Sequence, residues 1–249
     1  MRFSDLVRSE LVKLRTTRTF LGNFIAAVGI VAIICVAVAL ATSSVEDVSA
    51  DGVTIASIAV YFAFVIGVLS VSSEFRHGTI TPSLLVVPDR ERLLTAKFVS
   101  HLLAGLVIGA AAVVTTYVLL GGLVELRGID NGIFSADALK YVAGILVASA
   151  LFTALGVGLG AIMRNQVGAI FVGLGFLFMV EPLLTIIPTF GEWVADYGLG
   201  ASSDALMGSA FGAGDPALNQ VEGGLVFLGY VVIVAVFGYA IFRRRDVTA

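Results

Sequence analysis

Apolar residues fall along this chain in long runs rather than in short alternating stretches. Six runs stand out, at 20–41, 53–73, 98–124, 139–163, 167–187 and 223–242. A hydrocarbon core of roughly 30 Å needs about 20 residues of helix, so each run is long enough to span one. Backbone groups in lipid must be bonded within their own segment, and the pattern therefore predicts six membrane helices. A β-barrel would instead show alternating segments of about ten residues. The third and fourth runs exceed the needed length, which predicts tilt or extension beyond the bilayer.

The polar positions between the runs set an orientation. Arg2, Arg8, Lys13, Arg15 and Arg18 precede the first run, and Arg76, Arg90, Arg92 and Lys97 lie between the second and third. Arg164 separates the fourth and fifth, and Arg243, Arg244 and Arg245 follow the sixth. Thus 13 of the 15 Lys and Arg fall on one side, and only Arg127 and Lys140 on the other. The positive-inside rule places both termini in the cytoplasm, and an even number of spans agrees. The opposite loops are acidic: Glu46, Asp47 and Asp51; Glu125, Asp130 and Asp137; then Glu192, Asp196, Asp204, Asp215 and Glu222. A cleaved signal peptide fits poorly, because the basic start covers 19 residues and the apolar run 22, whereas such an apolar core is usually about 7–15.

Residues 1–19 read as an amphipathic helix at the inner surface, with Phe3, Leu6, Val7, Leu11 and Leu14 on one face. Basic amphipathic helices lie in the headgroup region by that face. It either anchors the first span or relays motion to it.

The loop 74–97 is too polar at its ends to span and too apolar in its middle to float in water. Gly78 breaks the preceding helix, Thr81 is placed to cap a new one with Pro82 in its first turn, and Pro88 ends it. Asp89 then caps the helix leading through Arg92 and Lys97 into the third span. The product is a short helix over 82–87, parallel to the membrane, whose Leu84, Leu85, Val86 and Val87 need a partner. Lipid is one such partner and a docked soluble protein the other. The segment 188–222, with Phe190, Trp193 and Tyr197 among glycines and acids, suits short re-entrant helices in the outer leaflet, the alternative being an exposed loop.

Composition agrees with the pattern. Of 249 residues, 58% are hydrophobic and 13% charged, against about 45–50% and about 25% in a soluble domain. That excludes an ordinary cytosolic enzyme, a disordered chain and a disulfide-rich secreted domain. No linker marks a second domain, so residues 1–249 form one membrane-embedded unit. A net charge of −3 gives no reason to expect nucleic acid as partner, and the single cysteine, Cys35, excludes an intrachain disulfide.

Chemistry is sparse. A phosphate-binding loop needs Gly directly before Lys, but Lys13, Lys97 and Lys140 follow Val12, Ala96 and Leu139. No nucleotide, cofactor or metal site is therefore expected in this chain. Gly156, Gly158 and Gly160, like Gly105 and Gly109, read as close helix packing. His77 and His101 lack metal-ligand spacing, and His101 is the only candidate base for an intramembrane enzyme. Glu181 is the one acid within a span, followed by Pro182. A charge at that depth costs roughly 2.5–3.5 kcal/mol on insertion scales. It either faces a pathway or snorkels to the outer interface.

Four features together resemble the permease subunits of type-2 ATP-binding-cassette transporters, mostly exporters. They are the basic start 9–19, the loop Glu74-Phe75-Arg76-His77-Gly78-Thr79-Ile80 with Leu84, Leu85 and Pro88, the turn Arg164-Asn165-Gln166-Val167-Gly168, and the long segment before the last span. The resemblance implies a plasma-membrane subunit that pairs with a second permease chain, identical or not, and docks a separate cytoplasmic ATPase that holds ATP and magnesium. It implies that loop 74–97 carries the coupling helix, with Glu74, Arg76, Gly78 and Thr79 leading into it and Pro88 and Arg90 leading out. The start of the chain would match the family's interfacial connecting helix, and 188–222 would close the pathway outside. Competing readings are a non-transporting helper or sensor subunit, a secondary transporter and an intramembrane enzyme.

Overall fold

The computed structural model describes residues 2–41, 48–128, 136–208 and 217–244. Glu46, Asp47, Asp130, Asp215 and Arg245, and the side chain of Asp137, fall outside that description. Regular structure is helical throughout the described residues. In order the helices are α1 (Phe3–Thr16), α2 (Arg18–Ala41), α3 (Val48–Ser57), α4 (Ala59–Arg76), α5 (Ile80–Val86) and α6 (Arg90–Thr116). A π turn, Tyr117–Gly121, carries α6 into α7 (Gly122–Leu126). Next come α8 (Ala136–Met163) and α9 (Gln166–Gly175), then a second π turn, Phe176–Val180, leading into α10 (Glu181–Leu184). The chain closes with α11 (Phe190–Tyr197), α12 (Leu199–Met207) and α13 (Gln220–Arg244).

Six stretches are long and apolar enough to cross a membrane: Arg18–Ala41, Asp51–Arg76, Arg90–Leu126, Leu139–Met163, Gln166–Leu184 and Gln220–Arg244. The third begins eight residues before the expected 98, because Asp89 caps it early: its Oδ1 accepts the Arg92 N–H at 3.0 Å. The fifth stops three residues short of 187, where the chain turns through Thr189 at φ 68°. The expected 1–19 helix is interrupted at Thr17, so the first span starts at Arg18.

α8 is the axis of the bundle and the most buried span, packed by α4, α6 and α13. Small residues make that approach possible. A Cβ on Gly156 would lie 2.8 Å from the Val68 nitrogen and 3.0 Å from the Gly67 Cα. Gly105 and Gly109 of α6 likewise abut Ser149 of α8, and Gly158 abuts Val234 of α13. Dispersion and close backbone contact, rather than water release, hold helices together in lipid. Hydroxyls inside the bundle bond to their own helix: Ser149 Oγ donates to Ile145 O at 2.8 Å, and Thr153 Oγ1 to Ser149 O at 2.7 Å. Each is thereby satisfied without a partner helix. Phe64, Phe152 and Phe227, all fully buried, fill the space between α4, α8 and α13.

Candidate functional site

The loop between the second and third spans is built by local chemistry. α4 ends in a Schellman turn, the Thr79 N–H reaching Glu74 O at 2.9 Å and the Gly78 N–H reaching Phe75 O at 3.3 Å. That closure needs a residue in the left-handed region, and Gly78 supplies it at φ 67°. α5 then runs from Ile80 to Val86, two residues earlier than the expected start. Thr81 is not its cap. Thr79 holds that place without a side-chain bond, and Pro82 sits in the first turn, where its missing N–H costs nothing.

The four apolar positions do not share a face. Ile80 is buried at 2% exposure and Val87 at 8%, Leu84 is partly buried against the core, and Leu85 and Val86 stand out at 79% and 70%. Consecutive residues advance about 100° around a helix of 3.6 residues per turn, so one stripe cannot hold all four. Arg76, Gly78, Thr79 and Pro88 are exposed, Arg90 is partly buried, and Glu74 is buried.

Glu74 belongs to a buried ionic cluster tying three helices together. Lys97 of α6, 1% exposed, places its Nζ 2.8 Å from Glu10 Oε2 of α1 and 2.8 Å from Glu74 Oε1 of α4. It also donates to Ser70 O at 3.2 Å. Lys13 joins from the rim, 2.6 Å from Glu10 Oε1 and 3.1 Å from Glu74 Oε1. Burial works against the Glu10 carboxylate, but Lys97 and Lys13 outweigh it and hold its carboxyl below the usual carboxylate range. Burial likewise opposes the Lys13 ammonium, yet Glu74 and Glu10 raise its pKa above the ordinary lysine value. Glu74 Oε2 is buried without a hydrogen-bond partner among the described residues. Beside the cluster lies a cavity of about 510 Å³ whose wall includes Lys13, Ser73, Arg76, His77 and Gln166.

Other elements converge on the same end of the bundle. Arg164, at φ 56° between α8 and α9, lays its guanidinium 4.6 Å over the Phe75 ring. Asn165 caps α9, accepting the Val167 and Gly168 N–H groups at 3.1 and 3.2 Å. Phe75 packs edge-on against Phe242 of α13, Arg90 Nη1 reaches Phe242 O at 3.4 Å, and Arg243 pairs with Glu91 at 3.1 Å.

α1 docks by most of the expected stripe, with the charged Glu10 added to it. Leu6 and Glu10 are its buried residues, Val7, Leu11 and Leu14 are partly covered, and Phe3 is 38% exposed. The helix leans on α6 through Leu6 and the Glu10–Lys97 pair. Sequence reasoning passed over Glu10, Lys13 and Lys97. A signal was present: Glu10 is four residues after Leu6 and four before Leu14, so it shares their face, and a charge there requires a partner.

At the far end, Glu181 is 6% exposed, enclosed by the bundle. Its Oε1 accepts the Gly200 N–H at 2.7 Å and the Ala201 N–H at 3.4 Å, at the start of α12. The segment before the last span forms α11 and α12, with Phe190, Trp193 and Tyr197 stacked in series. No group of three His, Cys, Asp or Glu suited to a metal occurs among the described residues.

A sequence profile described as ABC-2 family transporter protein matches residues 36–196. No curated protein matches the chain significantly.

Proposed function

This chain belongs to the ABC-2 family of transporter proteins, and we propose that within it the chain is the permease subunit of an exporter in the plasma membrane. ATP and magnesium sit on a separate cytoplasmic ATPase, and a second permease chain completes the conduit. Both termini and α5 face the cytoplasm. The observation that carries this reading is Leu85 and Val86 standing clear of the bundle on a helix otherwise anchored by Ile80 and Val87.

Such a foot transmits force only if it is rigidly joined to the spans. The Schellman turn fixes α5 to α4, and the Asp89 cap fixes the following turn to α6. The Lys97 cluster locks α1, α4 and α6 into one lever. A push from the closing ATPase would therefore tilt the second and third spans together, with the connecting helix α1 following.

The test replaces Leu85 and Val86 with alanine in the chain co-expressed with its ATPase. Co-purification and transport-coupled hydrolysis should be lost while the chain's unfolding temperature stays unchanged. Wild-type levels of both would remove α5 as the coupling element.

A further inference from the structure

The cavity of about 510 Å³ beside the Lys97 cluster lies in the crook where α1 breaks at Thr17 and α2 begins. Its volume is within the usual range for small-molecule sites. One face of α4 and the turn after it supply a long side, through Ile66, Leu69, Ser70, Ser73, Glu74 and His77. These positions recur at three- and four-residue steps, so they form one stripe. The stripe passes from apolar to hydroxyl to charged over roughly 16 Å, at about 1.5 Å per residue. Leu14 of α1 and Phe20 of α2 add apolar surface. Among the described residues the wall carries Lys13, Lys97 and Arg76 against Glu10 and Glu74, so one positive charge is in surplus. Lys97 and both carboxylates are buried, but the other two cations are open to a ligand. The Lys13 ammonium has three donors. Glu10 at 2.6 Å and Glu74 at 3.1 Å take two of them, which leaves the third on a side chain 47% exposed. Arg76 is exposed at the end of α4 and pairs with no acid among the described residues.

We infer that this cavity seats an anionic phospholipid, its phosphate accepting from Arg76 and Lys13 and the start of its acyl chains lying along Ile66, Leu69 and Phe20. A guanidinium offers phosphate paired donors in matching geometry. Free phosphate would use the charged end and leave the apolar strip empty. A diacylglycerol would cover the strip and forgo the charge-assisted bonds. A choline headgroup would bring its own cation against Arg76. Seated there, the lipid ties α1 to α4 beside the Lys97 cluster, so the strength of that joint depends on which lipid is present. The inference uses the membrane-spanning fold and not the permease reading, and binding needs no ATPase.

The full chain, stripped of lipid in a nonionic detergent, is titrated with dioleoyl phosphatidylglycerol, and native mass spectrometry counts the molecules bound. Dioleoyl phosphatidylcholine, dioleoylglycerol and inorganic phosphate serve as comparators. One phosphatidylglycerol per chain should bind about tenfold or more tightly than either other lipid. Inorganic phosphate at the same concentration should not displace it. Arg76→Gln should abolish that preference. Arg8→Gln removes a charge from an exposed position of α1 outside the cavity wall and should leave the preference intact. Equal binding of phosphatidylcholine, or displacement by inorganic phosphate, overturns the assignment. So does an Arg76→Gln variant that keeps the preference, or an Arg8→Gln variant that loses it equally, since the attraction would then be diffuse surface charge. Should Arg76→Gln fail to fold, Thr17→Trp obstructs the cavity from its exposed rim. Loss of the preference is then expected, and its retention overturns the site. Failure of coupling to an ATPase would leave this experiment untouched.

Discussion

The Lys97 ammonium lies 2.8 Å from the Glu10 carboxylate, both side chains buried, although 87 positions separate them in the chain. Removing one partner of a buried pair strands the other charge, which costs about 3–5 kcal/mol. Lys97→Met should therefore sharply lower the thermal unfolding midpoint in detergent. Lys13 touches the same two acids but its side chain is 47% exposed, and exposed pairs contribute about 1 kcal/mol or less. Lys13→Met should shift the midpoint only slightly. Equal shifts would mean that water reaches the cluster.

The same cluster predicts a pH dependence with two limbs. Glu10 titrates below its unfolded value of about 4.3, so its contribution is present above that pH and lost as pH falls through the folded value. Lys13 titrates above its unfolded value of about 10.4, so its contribution is complete below that pH and lost as pH rises through the folded value. The midpoint difference between wild type and Glu10→Gln should thus be largest near neutrality and shrink in acid. The difference for Lys13→Met should shrink in strong alkali. A Glu10→Gln difference that persists unchanged in acid would show that the carboxylate charge contributes nothing.

Side-chain exposure also makes the orientation measurable. Cys35 is fully buried and is the only cysteine, so a new thiol on α5 would be labelled without competition. Leu85→Cys in the chain alone should react with a membrane-impermeant maleimide in inside-out vesicles and stay unlabelled in right-side-out ones. The reverse pattern would place α5 outside and end the coupling proposal.

Features written in local chemistry were legible in the sequence. Run length gave six spans, and Gly78, Pro88 and Asp89 marked their turn, stop and cap, because each acts on backbone within a few residues. What depended on distant partners was not. Lys97 looked like one more basic residue at a membrane edge, since nothing near it in sequence announces Glu10. The start of α5 was misplaced because burial of Ile80, not the Thr81 hydroxyl, decides where that helix begins. The two π turns left no local trace, since they arise from hydrogen-bond register rather than residue type.

The close packing of α4 on the bundle axis can be tested through two glycines. Gly156 of α8 faces Gly67 and Val68 of α4, and its added Cβ would sit 2.8 Å from the Val68 nitrogen, which cannot move without moving the helix. Gly156→Ala should destabilise by about 1–3 kcal/mol, as overpacking does. Gly22 of α2 has nothing within 4 Å of its added Cβ. There alanine only restricts the unfolded chain and favours helix, a gain of up to about 1 kcal/mol. The two substitutions, identical in chemistry, should shift the unfolding midpoint in opposite directions. If Gly156→Ala were as harmless as Gly22→Ala, α4 and α8 would not meet backbone to backbone. The second span could then tilt without carrying the axis of the bundle with it.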